Sequence, residues 1–260
     1  MRITILGARG SVAMDGISMT EFGGATSCIL LETDREAVFL DAGTGIVHAP
    51  DIGNRNISVL ITHPHIDHIV GLPFFPYITQ KDRRIDIFAV PRFESDTGSM
   101  LKRLISPPLW PLTLEEYKSN VVCHDINSDF NIRNIDVKCM DASHPGGVSV
   151  FRISDGIHSV VYATDCEIDE KEGEALAAFS KGADLIFLDA QYTDEEYSWR
   201  KGYGHSTVRQ GLNIMKMSGA KSMRFIHHDP AHNDEMLRNM EKELTGDNTA
   251  FAREGEVISL

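Results

Sequence analysis

The chain has 260 residues; 25 Lys+Arg against 38 Asp+Glu leave a formal net charge of −13, and 42% of residues are hydrophobic. That composition is ordinary for a globular protein with a sizeable core, and the apolar stretches are strand-sized, well short of the ~20 residues a membrane span needs. Cys28, Cys123, Cys139 and Cys166 are scattered without a CxxC pair, so reduced thiols in a cytoplasmic protein are expected instead of a disulfide frame.

The first expected strand, residues 2–6, starts almost at the N-terminus, with no apolar core or cleavage site of a secretory signal before it. A loop carrying Gly7, Gly10, Gly16, Gly23 and Gly24 follows, then a hairpin of strands 26–33 and 37–41 around Asp34-Arg35. Strand 57–62 ends abruptly at His63-Pro64-His65. Strand 85–90 leads to a helix over 93–105, which Pro107-Pro108 stops. Strands 121–125, 132–140, 148–153 and 159–164 complete a β-rich middle. Thereafter helices alternate with strands: helix 170–181 with Gly182 past its end, strand 185–189, helix 206–218 before Gly219, strand 223–227 and helix 233–244. No linker, low-complexity tract or short-period repeat interrupts the chain, and one mixed α/β domain over 1–260 is expected.

The strongest chemical signal is His63-Pro64-His65-Ile66-Asp67-His68, three imidazoles and a carboxylate within six positions in a chain holding 11 His. Alternation in an extended segment sets His63 and His65 on one side, where they can share a metal. Asp67 and His68 then begin a turn or helix that swings them towards a second position. A run of solvated loop residues would produce such a cluster only rarely.

HxHxDH after a strand resembles the metal-binding signature of the metallo-β-lactamase fold superfamily. The likeness extends over most of the chain, in the same order: Phe39-Leu40-Asp41-Ala42-Gly43, Ser143-His144-Pro145-Gly146, Tyr162-Ala163-Thr164-Asp165 and Phe225-Ile226-His227-His228. It implies a four-layer αββα sandwich, two mixed sheets flanked by helices, and commonly a homodimer. It also implies two divalent ions, zinc by the imidazole-rich ligation, with manganese or iron as options. His63, His65 and His144 would hold the first ion; Asp67, His68 and His227 would hold the second; Asp165 would bridge them, and Asp67 also counts among the catalytic residues. Asp41 would brace the metal loop. Strand alternation lets only one of His227 and His228 face the metals; register with the family favours His227 and leaves His228 at the rim or against Asp229.

Gly204-His205-Ser206-Thr207 resembles the His-Ser-Thr element of tRNase Z-like phosphodiesterases, in which the His protonates the leaving oxygen. Asp189 would orient His205, and helix capping by Ser206 is the plain alternative. Gly7-Ala8-Arg9-Gly10-Ser11 lacks the Lys and spacing of a P-loop; the resemblance makes it the opening turn beside the active site, with Arg9 in reach of a substrate phosphate. Residues 106–111, rich in Pro and carrying Trp110, read as a packed loop, with a pocket mouth or dimer contact as other readings, and Cys166 reads as packing.

A hydroxide shared by two metals attacks phosphodiesters and carbonyls alike. A complete second metal site and an acid at His205 favour a phosphodiester. The −13 charge, with no basic run beyond Lys81 to Arg84, weighs against long nucleic acid and favours a small cyclic or linear phosphodiester such as a cyclic nucleotide. RNA 3′-end processing, a lactonase, thioesterase or lactamase activity, and a non-catalytic sensor on the same fold are the alternatives.

Overall fold

The computed structural model describes residues 1–244 and 248–260. One seven-stranded sheet is built from β1 (Arg2–Gly7), β2 (Cys28–Glu32), β3 (Glu36–Leu40), β4 (Asn56–Ile61), β5 (Arg84–Ala89) and β6 (Asn120–Asp125), in that spatial order, with the last strand of the chain, Val257–Ser259, beside β1. The second sheet begins with β7 (Phe130–Ile132), β8 (Ile135–Ala142), β9 (Val148–Ser154) and β10 (Ser159–Ala163). It continues through β11 (Leu185–Asp189), β12 (Met223–Ile226) and β13 (Thr249–Phe251). Each sheet is antiparallel at one end and parallel at the other; β3, β4, β5 and β6 run parallel, as do β10, β11, β12 and β13.

Strand alternation creates the layers. Ile29 and Leu31 of β2 and Leu40 of β3 point between the sheets, where they meet Phe151, Val160, Tyr162 and Phe187. Their neighbours Cys28, Leu30 and Phe39 point outward, under Ile69, Leu72, Phe75 and Leu101. The second sheet is covered in the same way by α3 (Glu170–Phe179), α5 (Val208–Ser218) and α6 (Asp234–Lys242), through Leu176, Ile214 and Leu237. Strands buried on both faces read as continuous apolar runs, which is why strands 57–62, 85–90 and 185–189 were conspicuous. The result is the four-layer αββα sandwich. None of the helices described is long and apolar enough to cross a membrane.

The three helices over the second sheet begin on side-chain caps: the oxygens of Asp169, Thr207 and Asn233 accept from the backbone N–H of Glu172, Gln210 and Met236. Gly219 ends α5 in the left-handed conformation at φ 63°. The helix expected over 93–105 is shorter, α2 (Thr97–Lys102), because Asp96 caps it while Phe93 and Glu94 stand at φ 53° and 54°. The expected strand 132–140 is two strands: Arg133 at φ 52° turns the chain, and Ile132 pairs with Ile135 across the resulting hairpin. Helix α4 (Asp194–Arg200) was not expected, although Thr193 and Glu196 form the reciprocal capping box that marks a helix start. The short α1 (Ile66–Ile69) carries Asp67 and His68.

Candidate metal centre

The parallel halves of both sheets end at one edge, and the chemistry sits there. Asp41 follows β3, His63 follows β4, Asp165 follows β10, Asp189 closes β11 and His227 follows β12. Asp41, Asp165 and His227 stand at φ 60°, 53° and 62°, a left-handed conformation costly for residues with side chains and characteristic of functional strand ends. Gly10 lets the N-terminal loop lie against the ring of His227: a Cβ there would come 2.4 Å from its Nδ1.

Three groups of donors result, two of four residues, His63, His65, His144 and Asp165, and Asp67, His68, Asp165 and His227, and a third of Asp189, His205 and His227, with each group's ligand atoms within 4.8 Å of one another. Asp165 belongs to both of the four-residue groups. Its Oδ1 lies 3.3 Å from His68 Nε2, and its Oδ2 lies 3.2 Å from His227 Nε2 and 3.7 Å from His63 Nε2. Asp67 Oδ2 is 3.2 Å from both His68 Nε2 and His227 Nε2 and also accepts the Ser11 amide at 2.8 Å.

The hydrogen bonds behind these groups set which nitrogen faces inward. His68 Nδ1 donates to Asp41 Oδ2 at 2.8 Å, His144 Nδ1 to the Gly204 carbonyl at 2.9 Å, and His227 Nδ1 to Gln191 Oε1 at 2.8 Å. Thr62 gives its single hydroxyl proton to Asp41, so its oxygen accepts from His63 Nδ1 at 3.1 Å. With each Nδ1 proton so engaged, Nε2 is the nitrogen that His63, His68, His144 and His227 turn to the centre. His63 Nε2 and His68 Nε2 are buried with no hydrogen-bond partner, and His144 Nε2 faces His65 Nδ1 at 3.1 Å. Buried, unpartnered imidazole nitrogens that converge around a shared carboxylate fit two divalent cations.

The electrostatics agree. Burial pushes His63, His65 and His144 below their ordinary range, towards the neutral form that ligates. Burial would do the same to His227, but the Asp165, Asp67 and Asp189 carboxylates outweigh it and raise its pKa to about 9. In the same way Asp67, Asp165 and Asp41 outweigh burial at His68 and raise it well above its ordinary value. Burial works against ionised Asp67 and Asp165 too, yet the surrounding imidazoles hold both well below the usual carboxylate range. Without cations the carboxylates thus hold protons on His68 and His227, protons that cations would replace.

His205 lies beside this centre. Its Nδ1 donates to Asp189 Oδ2 at 2.8 Å, and its ring stacks on His227 at 4.8 Å between centroids and meets His144 edge-on at 5.3 Å. Asp189 is fully buried and also accepts from the amides of Ser206, Gln191 and Asp165 at 2.8, 3.2 and 3.2 Å. The cap of α5 is Thr207, so Ser206 does not cap it; its hydroxyl donates to the Cys166 carbonyl.

Two expectations are corrected. Arg9 is fully buried and reaches no substrate: its guanidinium donates to the carbonyls of Gly23, Asp229 and His232, at 2.7, 3.1 and 2.8 Å for the shortest bond to each. It ties the N-terminal loop to the segment after β12. Arg9→Met is expected to leave these carbonyls unpaired and to cost about 3 kcal/mol, read by denaturant unfolding, with metal content retained. His228 lies neither at the rim nor against Asp229; its Nε2 donates to the Ala252 carbonyl at 2.8 Å, its ring meets Phe22 edge-on, and burial pushes its pKa down to about 3.

Four contributors escaped the sequence reading: Gln191, Thr62, Tyr162, whose hydroxyl donates to Asp41 Oδ2 at 3.0 Å, and Gly204. Gln191 carried one signal, its place two residues after Asp189. At Gly204 a Cβ would stand 2.0 Å from His144 Nδ1, and φ is 91°. Gly204→Ala is expected to dislodge His144, with activity down about 10–100-fold and weaker metal retention on dialysis.

The family model described as the beta-lactamase superfamily domain matches residues 37–228, well over half of the chain. The probable metallo-hydrolase YhfI of Bacillus subtilis is 22% identical over 281 aligned positions, 99% of each chain, and its crystal structure superposes with a TM-score of 0.76 at 18% identity over 99% of this chain and 98% of that one. A diphosphatase from the PhnP family superposes with a TM-score of 0.74 at 18% identity, over 100% of this chain and 97% of the other. A ribonuclease Z of Brevibacillus brevis is 33% identical over 67 residues, a match spanning 26% of this chain and only 21% of that protein. With that family match spread across both of the facing sheets, the chain belongs to the metallo-β-lactamase superfamily.

Proposed function

We propose that the protein hydrolyses a small phosphodiester, such as a cyclic nucleotide or cyclic phosphate, at a dinuclear metal site, with His205 donating a proton to the leaving oxygen. The observation that carries this reading is the His205–Asp189 pair, its imidazole set against His144 and His227 with Nδ1 held by a buried carboxylate. An alkoxide leaving from phosphorus is strongly basic and departs readily only as the alcohol, and an imidazole so anchored can supply that proton.

His63, His65 and His144 would hold one cation and Asp67, His68 and His227 the other, with Asp165 shared; zinc suits so imidazole-rich a set, and manganese or iron are alternatives. When bound, the pair supplies a nucleophilic hydroxide and polarises the phosphoryl oxygen. Asp189 holds the Nδ1 proton of His205, so the Nε2 side is the one that meets the leaving oxygen. Asp41, Gln191 and the Gly204 carbonyl keep the ligand rings in place. The PhnP-family diphosphatase and ribonuclease Z, both similar to this chain, bear names that denote cleavage at phosphorus.

The second reading, RNA 3′-end processing, draws on the ribonuclease Z likeness, and the −13 charge weighs against it. Zinc- or manganese-loaded protein should hydrolyse bis(4-nitrophenyl) phosphate and at least one cyclic nucleotide, lose that activity to a chelator and leave a tRNA precursor intact. Cleavage of the precursor alone would select RNA processing; turnover of lactone or thioester alone would reject both. In solution the protein is proposed to form a homodimer, which sedimentation would test.

A further inference from the structure

Beside His65 the surface opens into a cleft of about 350 Å³, bounded by Pro64, Ile66, Phe93, Leu104 and Leu109. It adjoins the metal centre through His65, which is part of its wall. Three of its apolar side chains are left open to solvent: Ile66 is 59% exposed, Phe93 56% and Leu109 68%. Apolar surface gathered in a concave site beside a reaction centre is a specificity feature far more than a packing accident.

The cleft is held in shape. Phe93 and Glu94 both adopt positive φ, which turns the chain sharply after β5. The Phe93 ring lies against Gly146, two residues from His144, where a Cβ would come 2.5 Å from its Cζ. Arg92 lies over Gly147 and is anchored by Asp141 and Ser149, with 2.9 Å to each. Thus the wall of the cleft and the loop bearing His144 are packed on one another. Arg103 stands at its margin and donates to Ser95, while the charge of Arg92 is met by Asp141. A ligand that suits these features is flat and apolar where it enters the cleft.

Resting on the phosphodiester reading above, we infer that this cleft seats a planar aromatic ring carried on the ester arm of the substrate remote from His205. The two arms are told apart by the rings that flank His144: His65 meets it at 4.9 Å, and His205 meets it at 5.3 Å and also stacks on His227. The leaving oxygen belongs on the His205 side, so the arm over His65 is the retained one. A nucleobase is one natural form of such a ring; its flat faces would pack between Phe93 and the aliphatic side chains of Ile66 and Leu109.

Two measurements on the metal-loaded protein test this. The first compares kcat/KM for phenyl 4-nitrophenyl phosphate and methyl 4-nitrophenyl phosphate, which share a leaving group. The phenyl diester should be preferred by about 10-fold or more, and the preference should shrink to about 2-fold in Phe93→Ala and in Leu109→Asp. No preference, or one that both variants keep, overturns the inference. The second reads the cleft without turnover, through methyl NMR of labelled Ile and Leu. Phenyl phosphate should shift the Ile66, Leu104 and Leu109 methyls, and methyl phosphate should not. Absence of those shifts would overturn it, and so would shifts that follow protein concentration alone, which would mark the cleft as a contact between copies. Should neither diester turn over, the phosphodiester reading falls by itself, and the NMR result still decides whether the cleft takes an aromatic ring.

Discussion

Asp165→Ala is expected to lower kcat/KM for a phosphodiester by about 10⁴-fold or more, and to reduce bound metal below two ions per chain. Asp165 is the one residue common to both four-residue donor groups, and its carboxylate lies within 3.9 Å of His63, His68, His144 and His227. Two cations side by side repel, and a shared carboxylate is what offsets that repulsion. Alanine also deprives His68 and His227 of the charge that raises them. Elemental analysis after dialysis, paired with bis(4-nitrophenyl) phosphate turnover, reads both effects. An Asp165→Ala protein with two metals and full activity would remove the dinuclear site from the account. A circular-dichroism melt of the metal-free variant separates loss of the site from loss of the fold.

His205→Ala is expected to act differently, leaving two metals in place while kcat falls by about 10²–10⁴ on diesters with alkoxide leaving groups. On a 4-nitrophenyl ester the loss should be under about 10-fold, because 4-nitrophenolate departs without a proton. That dependence on leaving-group basicity is the signature of a proton donor, and an inert structural imidazole would not produce it. Equal losses on both substrates would assign His205 a positioning role through its stacking on His227. No loss on either would remove His205 from the reaction. Asp189→Asn is the less informative change, because Asp189 accepts from three backbone amides as well as from His205, and an amide in its place would turn a donor towards donors.

The metal-type residues were legible because they follow strands in a fixed order, and because three imidazoles within six positions rarely arise without a shared task. Helices α3 and α5 were legible for a related reason, a Gly just past the end, whereas α4 was missed although Thr193 caps it. Arg9 was misread since a single arginine in a Gly-rich turn looks the same whether it meets a phosphate or three carbonyls. Its partners Asp229 and His232 are 220 and 223 residues away, beyond any local pattern. The same holds for His228, whose bond to Ala252 and contact with Phe22 depend on the second sheet closing over the N-terminal loop.

Short-range chemistry, then, was written along the chain: strand-length apolar runs, Gly-terminated helices and the His63–His68 run each depend on neighbours a few positions apart. Closure in space decided the rest. It set Asp67 against His227 across 160 residues and His144 against the Gly204 carbonyl across 60, choosing the nitrogen that each imidazole turns inward. It buried Arg9 and left Phe93 and Leu109 open beside His65. Strand order and sheet packing join residues with no sequence relation, and the distances between their donors exist only once both sheets have met.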